Sequence, residues 1–372
     1  MVGAQTLINI HKRLKEIKDE MSEDVPFGGV SVLAVGDLLQ LPPVGDSPVF
    51  AFPNNPMHRL SMSPWEKHFQ YIELTEVQRQ RGDPLFADIL NRVRAGNQTT
   101  EDISVLSSRI SEQSINCLHI FPTNQQVNAY NEQKLQEFSD AATITIECHD
   151  HFSVDGSRKL HIPESRHLTD GFYSVLRLAV GSRVSIVKNL DISDGLVNGA
   201  NGIISSIRIN KDHPLGGVIV IKFENEQIGK SARYTLPPSL QSHGVPITVT
   251  TSRFSLGSES TVVVNRTQYP LTLAWSATIH KEQGQTVDEV SLSFDVARFT
   301  AGQAYVGLSR VRSLSGLQLA NFDEKKIKVN KTALSEMERL TFSRLLPKYQ
   351  PIELDDLQQN NRIGIVHLHK VL

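Results

Sequence analysis

The chain has 372 residues, 39% of them hydrophobic, and its 38 basic and 40 acidic residues give a net charge of −2. At roughly 100–200 residues per domain, this length predicts two or three globular domains. The charge balance excludes a strongly basic protein, so any groove for nucleic acid must be local. Two cysteines cannot build a disulfide framework, which favours a reducing compartment. Neither a long apolar run nor an N-terminal secretory pattern is present, so we expect no membrane span and no secretion signal.

The first part of the chain predicts alternating helices and strands. Residues 4–18 predict a helix whose apolar face carries Leu7, Ile10, Leu14 and Ile17. Residues 30–35 are a short apolar run, typical of a buried parallel strand. The loop that follows contains two prolines and cannot stay helical. Ligands of open α/β sheets bind at such carboxyl ends of strands.

The next segments continue the same alternation. Residues 84–95 predict a helix with Phe86, Ile89, Leu90 and Val93 on one face. Residues 117–121 predict a buried strand, and a polar helix follows to about residue 138. Strands that alternate with helices indicate a parallel sheet, so the fold class is α/β.

The middle of the chain differs in texture. From about 142 to 264, short apolar runs alternate with turns rich in Gly, Asp and Asn, which indicates a small all-β barrel inserted in the α/β domain. The α/β pattern then resumes, with a strand at 287–294, a helix at 301–312 and a strand at 316–320. The tail from about residue 341 has no clear period, and we expect it to be peripheral.

The loop after the first strand, Gly36-Asp37-Leu38-Leu39-Gln40-Leu41-Pro42-Pro43-Val44, is the most specific segment. An Asp and a Gln directly after a buried strand can sense a phosphate or its attacking water. The alternative is a proline-stiffened loop in which Asp37 only caps a turn.

An arginine follows a second apolar stretch, within Leu74-Thr75-Glu76-Val77-Gln78-Arg79-Gln80. An Arg that reaches across a cleft can stabilise a transferring phosphoryl group, so Arg79 is a candidate catalytic residue. A surface salt bridge is the alternative, and the adjacent Arg81 leaves the choice within the pair open.

Two later segments carry polar clusters. Thr278-Ile279-His280-Lys281-Glu282-Gln283-Gly284-Gln285-Thr286 could donate many hydrogen bonds to phosphate oxygens, or could be an ordinary polar loop. In the predicted helix 301–312, Arg310 could face a nucleotide cleft, and Arg312 would then face elsewhere.

These motifs, in this order, together with Pro26-Phe27-Gly28-Gly29 and Tyr305-Val306-x-Leu308-Ser309-Arg310, resemble the Pif-type (petite integration frequency) DNA helicases of superfamily one. The resemblance runs from residue 1 to about 320. The segment 195–200 is similar to that family's inserted barrel, and helicases of Helitron transposons belong to the same family. The resemblance implies RecA-like P-loop NTPase motor domains, the first truncated, and an SH3-like barrel inserted in the second. It implies the following boundaries: 1–68 for the first motor domain, 69–141 with 265–340 for the second, 142–264 for the barrel, and 341–372 for the tail.

The resemblance also implies roles for the matching residues. Gln40, Arg79 and Arg310 would be catalytic, the two arginines reaching the γ-phosphate of ATP. Asp37, Gln283 and Gly284 would lie at the ATP edge. The residues expected to touch DNA are Pro42, Thr123, Asn124, Thr278, His280 and Lys281. The family uses ATP and Mg²⁺, moves 5′ to 3′ on single-stranded DNA and at DNA forks, and acts in the nucleus or mitochondrion. Telomeres, mitochondrial DNA and transposition all remain open as settings, as does the oligomeric state, with a monomer as one option.

The chain departs from the family at the phosphate-binding segment. No Gly-x-x-x-x-Gly-Lys-Ser/Thr loop is present. Family members have an Asp-Glu pair for Mg²⁺ directly before the stretch that matches Met1-Val2-Gly3, so we expect no Mg²⁺ ligand in this chain. Glu282 stands where Ser is usual, and its charge would repel phosphate unless His280 or Lys281 neutralises it. Gly307 stands where Ala is usual, which would loosen a helix by roughly 1 kcal/mol.

Other candidates are weaker. Cys148-His149-Asp150-His151 resembles a metal cluster, but successive residues of a strand alternate faces and cannot all meet one ion. His367-Leu368-His369 is similar to the His-x-His motif of rolling-circle nucleases. No Tyr follows it, so we interpret the match as coincidence. Trp65 and Trp275 could stack on DNA bases, although Trp275 is better explained as core.

Three hypotheses follow. The first is a partial chain of an ATP-dependent DNA helicase, inactive alone. The second is a catalytically dead helicase or transposon remnant that at most binds single-stranded DNA. The third is a protein whose ATP-binding half is supplied by a separate chain.

Overall fold

The computed structural model describes most of the chain in two compact units. The described residues are 1–22, 24–51, 63–111, 117–153, 162, 168–210, 213–235, 237, 242, 244–256, 262–344 and 364–367. Unit 1 comprises Met1–Thr123 and Thr278–Leu372, and unit 2 comprises Asn124–Ala277. The domain boundaries expected from the sequence stay a prediction. Across the described residues, no helix is both long and apolar enough for a membrane span.

The first sheet of unit 1 contains three parallel strands. These are β1 (Leu33–Gly36), β2 (Gln70–Glu73) and β17 (Gly364–His367), in the order β1-β17-β2. The expectation of a peripheral tail is therefore wrong for β17, which lies between the other two strands. Pairing of this kind joins residues far apart in sequence, so no local pattern predicts it. Residues 368–369 of the His-Leu-His segment lie outside the described residues.

A strand is present in the region predicted at 30–35, but it spans Leu33–Gly36 and is not buried as predicted. Leu33 and Val35 are exposed. The core beside this sheet is instead built from aromatic and apolar residues of several segments: Leu7, Phe27, Trp65, Tyr71 and Leu340. Trp65 is therefore a buried core residue, and its indole Nε1 donates to Glu336 at 2.8 Å.

The first helix, α1 (Ala4–Lys18), has the predicted bounds, but the predicted apolar face is wrong in part. Leu7 is buried together with Ile8, whereas Ile10 and Ile17 are exposed. The buried face is set by what lies against it, and Phe27 packs edge-on against the His11 ring of this helix. The 3₁₀ turn Pro26–Gly29 brings Phe27 there.

The second sheet of unit 1 carries the larger core. The strand order is β14-β3-β15-β16. The strands β3 (Leu118–Phe121), β15 (Val290–Leu292) and β16 (Leu317–Leu319) belong to unit 1, and β14 (Ser276–Thr278) belongs to it only with Thr278. β15 pairs in parallel with both β3 and β16, as an α/β fold predicts. The helices of this unit after α1 are α2 (Pro64–His68), α3 (Pro84–Ala95), α4 (Thr100–Ser107), α7 (Gln303–Leu308) and α8 (Lys331–Arg344).

Helix α3 shows the predicted period. Phe86, Ile89, Leu90 and Val93 are all buried in the core of the second sheet. Asp83 caps the helix by accepting from the Phe86 amide at 3.1 Å, and Gly96 ends it in the left-handed region with φ 75°. A helix fixed at both ends and along one face is a rigid support for the side chains at its last turn.

Gly307 in α7 is explained by its neighbour rather than by loosening alone. A Cβ at this position would lie 2.9 Å from both terminal methyl carbons of Leu292, which is fully buried in β15. A methyl group here would therefore overpack the core unless Leu292 moved. The pair Gly307–Leu292 fits together as a unit.

Unit 2 begins with α5 (Asn124–Gln136) and is otherwise almost all β, as predicted. Its five-stranded antiparallel sheet has the order β10-β9-β8-β7-β13. These strands are Val245–Ile247, His213–Phe223, Asn201–Asn210, Arg183–Ile186 and Leu271–Leu273. A second sheet, β11-β12-β5, comprises Thr250–Ser255, Val263–Gln268 and His149–Phe152, and β4 (Thr143–Glu147) pairs with β6 (Val175–Ala179). A short helix, α6 (Lys230–Arg233), precedes β10.

Trp275 packs against the core of this unit, where its ring centroid lies 6.0 Å from that of Phe138. The interpretation of Trp275 as core is confirmed.

Candidate functional site

Arg79 is a buried residue just beyond β2. Its Nε donates to Thr286 Oγ1 at 2.8 Å, and its Nη1 donates to the Ser309 carbonyl at 2.8 Å. Arg81, by contrast, is exposed. Burial therefore distinguishes the two arginines, and only Arg79 is anchored to the later polar segments. The alternative of a surface salt bridge does not fit Arg79.

Arg310 lies just beyond α7, which ends at Leu308 and not at residue 312 as predicted. Its Nε donates to the Val306 carbonyl at 2.6 Å, and its Nη1 donates to the carbonyls of Glu282 and Gln285, both at 3.2 Å. Its Nη2 donates to Ser309 Oγ at 2.7 Å. Arg312 is exposed, so the expectation that it faces elsewhere is confirmed.

The two buried guanidinium groups carry charge that no carboxylate neutralises by direct contact. Within the described residues, neither Arg79 nor Arg310 makes a salt bridge. Burial lowers the pKa of each to about 10, and the charge of Arg79 further lowers that of Arg310. Both remain cations at neutral pH. Two like charges out of water form a region that favours an anion.

Glu282 acts on this region in a way that the sequence did not predict. The sequence predicts that its charge repels phosphate unless His280 or Lys281 neutralises it. Lys281 is exposed, whereas Glu282 is buried and its negative charge favours the protonated form of Arg310. On the pKa of Arg310 this contribution comes after the larger effects of burial and of Arg79. Glu282 therefore offsets part of the arginine charge instead of standing alone near a phosphate.

The loop after β1 meets the same region. Gln40 is buried, and its Oε1 accepts from Gln283 Nε2 at 3.0 Å. Gln283 Oε1 is a buried oxygen with no hydrogen-bond partner among the described residues. Gly284 takes the left-handed conformation with φ 90°, which allows the tight turn after Gln283. Gln40 and the two arginines thus all contact the 278–286 segment, Gln40 through Gln283, Arg79 through Thr286 and Arg310 through the carbonyls of Glu282 and Gln285.

Both carboxylate oxygens of Asp37, which the resemblance places at the ATP edge, already accept hydrogen bonds within the protein. Its carboxylate is bound on both oxygens by Arg94, and its Oδ1 also accepts from the Leu39 amide at 3.0 Å. It therefore caps the turn, as the alternative interpretation held, and it also makes a buried ion pair that the sequence did not suggest.

Of the residues expected to contact DNA, Pro42 lies in the loop after β1, and Thr123, Thr278, His280 and Lys281 lie at or beside the turn 278–281 of unit 1. Asn124 is the first residue of α5 in unit 2. The Ile279 amide donates to the Phe121 carbonyl at 3.1 Å, so the turn Thr278–Lys281 lies beside the end of β3, from which Thr123 follows. Thr278 Oγ1 accepts from the Lys281 amide at 3.3 Å and shapes this turn. Asn124 and Lys281 are exposed, and Pro42, Thr123, Thr278 and His280 are partly buried.

His280 predicts a pH effect on stability. Desolvation lowers its pKa below the ordinary value of 6.5, so the folded protein binds this proton less readily than the unfolded chain. The contribution of neutral His280 to the free energy of unfolding is fully present above pH 6.5, the ordinary pKa of His. It is lost as the pH falls through the lowered pKa of the folded protein. We expect the midpoint of thermal unfolding to fall more between pH 7.5 and pH 5.5 for the wild type than for His280→Gln. Equal falls in the two proteins would contradict this assignment.

The Cys148–His151 segment makes an ion pair. The Asp150 carboxylate in β5 accepts hydrogen bonds from both Nε and Nη2 of Arg266, each at 2.8 Å. His149 and His151 are exposed. Burial raises the pKa of the Cys148 thiol to about 11, which disfavours the thiolate that a metal would need. No group of three or more metal-binding side chains occurs in the described part of the chain.

Two family models match the sequence. Residues 1–104 match the model described as PIF1-like helicase, and residues 173–207 match the model described as DNA helicase Pif1, 2B domain. The ATP-dependent DNA helicase PIF1 of Xenopus laevis is 30% identical over 343 residues, which cover 90% of this chain. The chain belongs to the Pif-type helicases. The human PIF1 helicase is 32% identical over 84% of the chain.

Solved Pif1 helicases share the fold. The crystal structure of the Candida albicans protein matches with a TM-score of 0.68 at 28% identity, over 92% of this chain and 74% of that one. A Bacteroides Pif1 in complex with ADP-AlF3 and single-stranded DNA matches with a TM-score of 0.67 at 27% identity, over 93% of this chain and 74% of that one. The mixed α/β sheets of this Pif-type chain are therefore consistent with a RecA-like helicase fold. The chain spans 47% and 44% of the lengths of the frog and human relatives.

Several residues that build the site were missed from the sequence. Gln80 donates through Nε2 to the Val311 carbonyl at 2.7 Å and so holds the segment that carries Arg310. Burial raises the pKa of Tyr305 to about 12, so its phenol stays neutral. The positive charges of Arg79 and Arg310 act on this pKa in the opposite direction. Arg94 could have been noticed, because it stands four residues after buried Leu90 on the apolar face of α3, where a charge requires a partner.

Proposed function

We propose that this chain contributes the arginine side of the nucleotide site, and part of the single-stranded DNA track, of a Pif-type ATP-dependent 5′-to-3′ DNA helicase. The observation that carries the proposal is the pair of buried arginines, Arg79 and Arg310, which both bind Ser309 and lack a carboxylate partner in the described residues. Such a pair suits a polyphosphate whose charge grows during phosphoryl transfer.

The residues present fit one part of ATP only. The guanidinium groups and the unpartnered oxygen of Gln283 suit the outer phosphate and its attacking water. A phosphate-cradling loop is lacking in the printed sequence, and the described part offers no acidic cluster for Mg²⁺. ATP and Mg²⁺, when bound, would supply the phosphoryl group and its charge neutralisation. What this chain would do is bind the negative charge and orient Gln40.

The second candidate is a helicase remnant that binds single-stranded DNA without hydrolysing ATP. The helicase proposal has two further parts. The inserted all-β unit is an SH3-like barrel, and the protein acts in the nucleus or the mitochondrion. A separate chain that supplies the ATP-binding half is the third possibility.

Phosphate release and the upstream reading frame distinguish these candidates. We expect the printed chain alone to release no phosphate from ATP, with or without single-stranded DNA. An in-frame phosphate-binding loop upstream, followed by Asp-Glu-x-Ser, supports the helicase, and DNA-stimulated hydrolysis should appear in that longer protein. A stop codon directly before Met1 favours the remnant. Phosphate release by the printed chain would contradict the proposed division of the site.

DNA binding by the printed chain tests the other half of the proposal. We expect weak binding to single-stranded oligonucleotides that weakens as salt rises, since each phosphate contact releases a counterion. Lys281→Ala should reduce the slope of log K against log salt by about 0.7. Arg13→Ala, which removes an exposed cation paired with Glu16 on α1, is the control and should leave the slope unchanged. Absence of binding at low salt would contradict the DNA-track proposal.

A further inference from the structure

The loop of residues 37–43 is held at its first residue by a buried ion pair. Arg94 donates from Nε to Asp37 Oδ2 at 2.9 Å and from Nη2 to Asp37 Oδ1 at 2.6 Å. The side chains are 5% and 1% exposed. A two-point contact between planar groups fixes orientation as well as distance. Since Arg94 lies at the end of the rigid helix α3, the loop is tied to a fixed support.

The same loop is held at three further points. Gln40 accepts from Gln283, and the Gln40 amide donates to the Asp37 carbonyl at 3.2 Å, so the positions of Asp37 and Gln40 are coupled. Leu41 is buried in the core that contains α3. A Cβ on Gly302 would lie 2.7 Å from the carbonyl oxygens of both Leu39 and Gln40, so the backbone before α7 touches the loop directly.

We propose that Arg94 is a positioning residue, which sets the place of Gln40 against Gln283 by binding Asp37. Its value for phosphate sensing rests on the proposed function, whereas its effect on the loop does not. A buried ion pair adds little stability compared with apolar packing of the same volume, so control of geometry is the better reason for a charge here.

The chain contains a matched comparison on the same helix. Arg92 also makes a two-point ion pair, with Asp102 at 2.7 Å for both contacts. Its side chain is 40% exposed, and its partner lies in the next helix, α4, not in the 37–43 loop. The two arginines thus share their chemistry and their helix, and differ in which segment they hold.

Hydrogen exchange on the full chain tests the proposal. Arg94→Gln should speed exchange of the Leu39 and Gln40 amides, and of the 281–283 turn, by about tenfold or more, because loss of one partner strands a buried charge. Exchange in strands β15 and β16 should speed by a clearly smaller factor than in the loop, because the loop loses its local contact in addition to any loss of global stability. Arg92→Gln should speed exchange near residues 99–102 and leave the 37–43 loop unchanged. Arg94→Lys, which keeps the charge without the two-point contact, should give an intermediate rate.

Coupling is tested by a second variant. Gln40→Ala should also speed exchange of the 281–283 turn, and combining it with Arg94→Gln should add less than about twofold, since both act through one contact. The proposal is overturned if Arg94→Gln leaves the loop amides unchanged, or if it speeds β15 and β16 as much as the loop, which is the result of a purely structural role. Failure of the proposed function would appear separately, as absence of DNA binding by the wild-type chain.

Discussion

Replacing Arg310 by Ala should destabilise unit 1 by about 3–5 kcal/mol, because several buried carbonyls would lose their donors together. The guanidinium group serves the carbonyls of Val306, Glu282 and Gln285 and the hydroxyl of Ser309, and it is 1% exposed. Arg310→Lys should recover less than half of the lost stability, since a single ammonium group cannot donate to all of these acceptors as the planar guanidinium group does.

The measurement can be confined to the right unit. The chain has two tryptophans, Trp65 in unit 1 and Trp275 in unit 2. In a Trp275→Phe background, urea unfolding followed by fluorescence reports on unit 1 alone.

Arg312→Ala is the control, because that side chain is 63% exposed and its salt-bridge partner among the described residues, Asp288, is 88% exposed. It should change the free energy of unfolding by less than about 0.5 kcal/mol. Equal effects of the two substitutions would contradict a structural role for Arg310.

This prediction limits how catalysis can be assigned. Under the proposed function, loss of activity in Arg310→Ala would combine lost charge at the phosphate with a disturbed fold around Glu282 and Ser309. Arg79 presents the same difficulty, since it anchors Thr286 and the Ser309 carbonyl. The activity of either variant therefore needs to be compared at conditions where its unit 1 is shown to be folded.

Local periodicity predicted much of the fold but not its long-range contacts. Helix α3 was predicted residue by residue, because its apolar period, its cap at Asp83 and its end at Gly96 are all local features. The buried face of α1 was predicted wrongly in part, since Leu7 is buried but Ile10 and Ile17 are exposed. The pairing of β17 with β1 joins residues 33 and 364, and no pattern in either segment specifies the other.

The candidate site shows the same division. The motifs identified Gln40, Arg79, Arg310 and Gln283. The structure pairs Gln40 with Gln283, and it bonds both arginines to Ser309 and to residues of the 278–286 segment. The partners of these residues were not predictable, because Ser309 and the carbonyl of Glu282 become acceptors only through the turn after α7. The burial of Glu282 similarly depends on how the 278–286 loop folds, so its effect on Arg310 could not be foreseen from its charge.

Breaking the ion pair between Arg266 and Asp150 should have the largest effect in unit 2. The two residues face each other across paired strands β12 and β5, and Arg266 also donates to the Phe172 carbonyl at 3.3 Å. Its guanidinium carbon lies 5.6 Å from the centre of the Phe254 ring. Arg266→Ala would leave Asp150 without its partner and should cost about 3–5 kcal/mol in the free energy of unfolding.

Unfolding of a Trp65→Phe background, in which Trp275 reports on unit 2, measures this loss. Arg253→Ala in the neighbouring strand β11 is the control, since Arg253 is exposed and should change stability by less than about 0.5 kcal/mol. The double variant Arg266→Met with Asp150→Leu should recover a large part of the loss, because apolar packing can replace a buried ion pair that is removed as a whole. If the double variant is no more stable than Arg266→Ala, the charges themselves are needed to pair β5 with β12. The stability of this unit would then rest on the ion pair, and not on the apolar packing beside it.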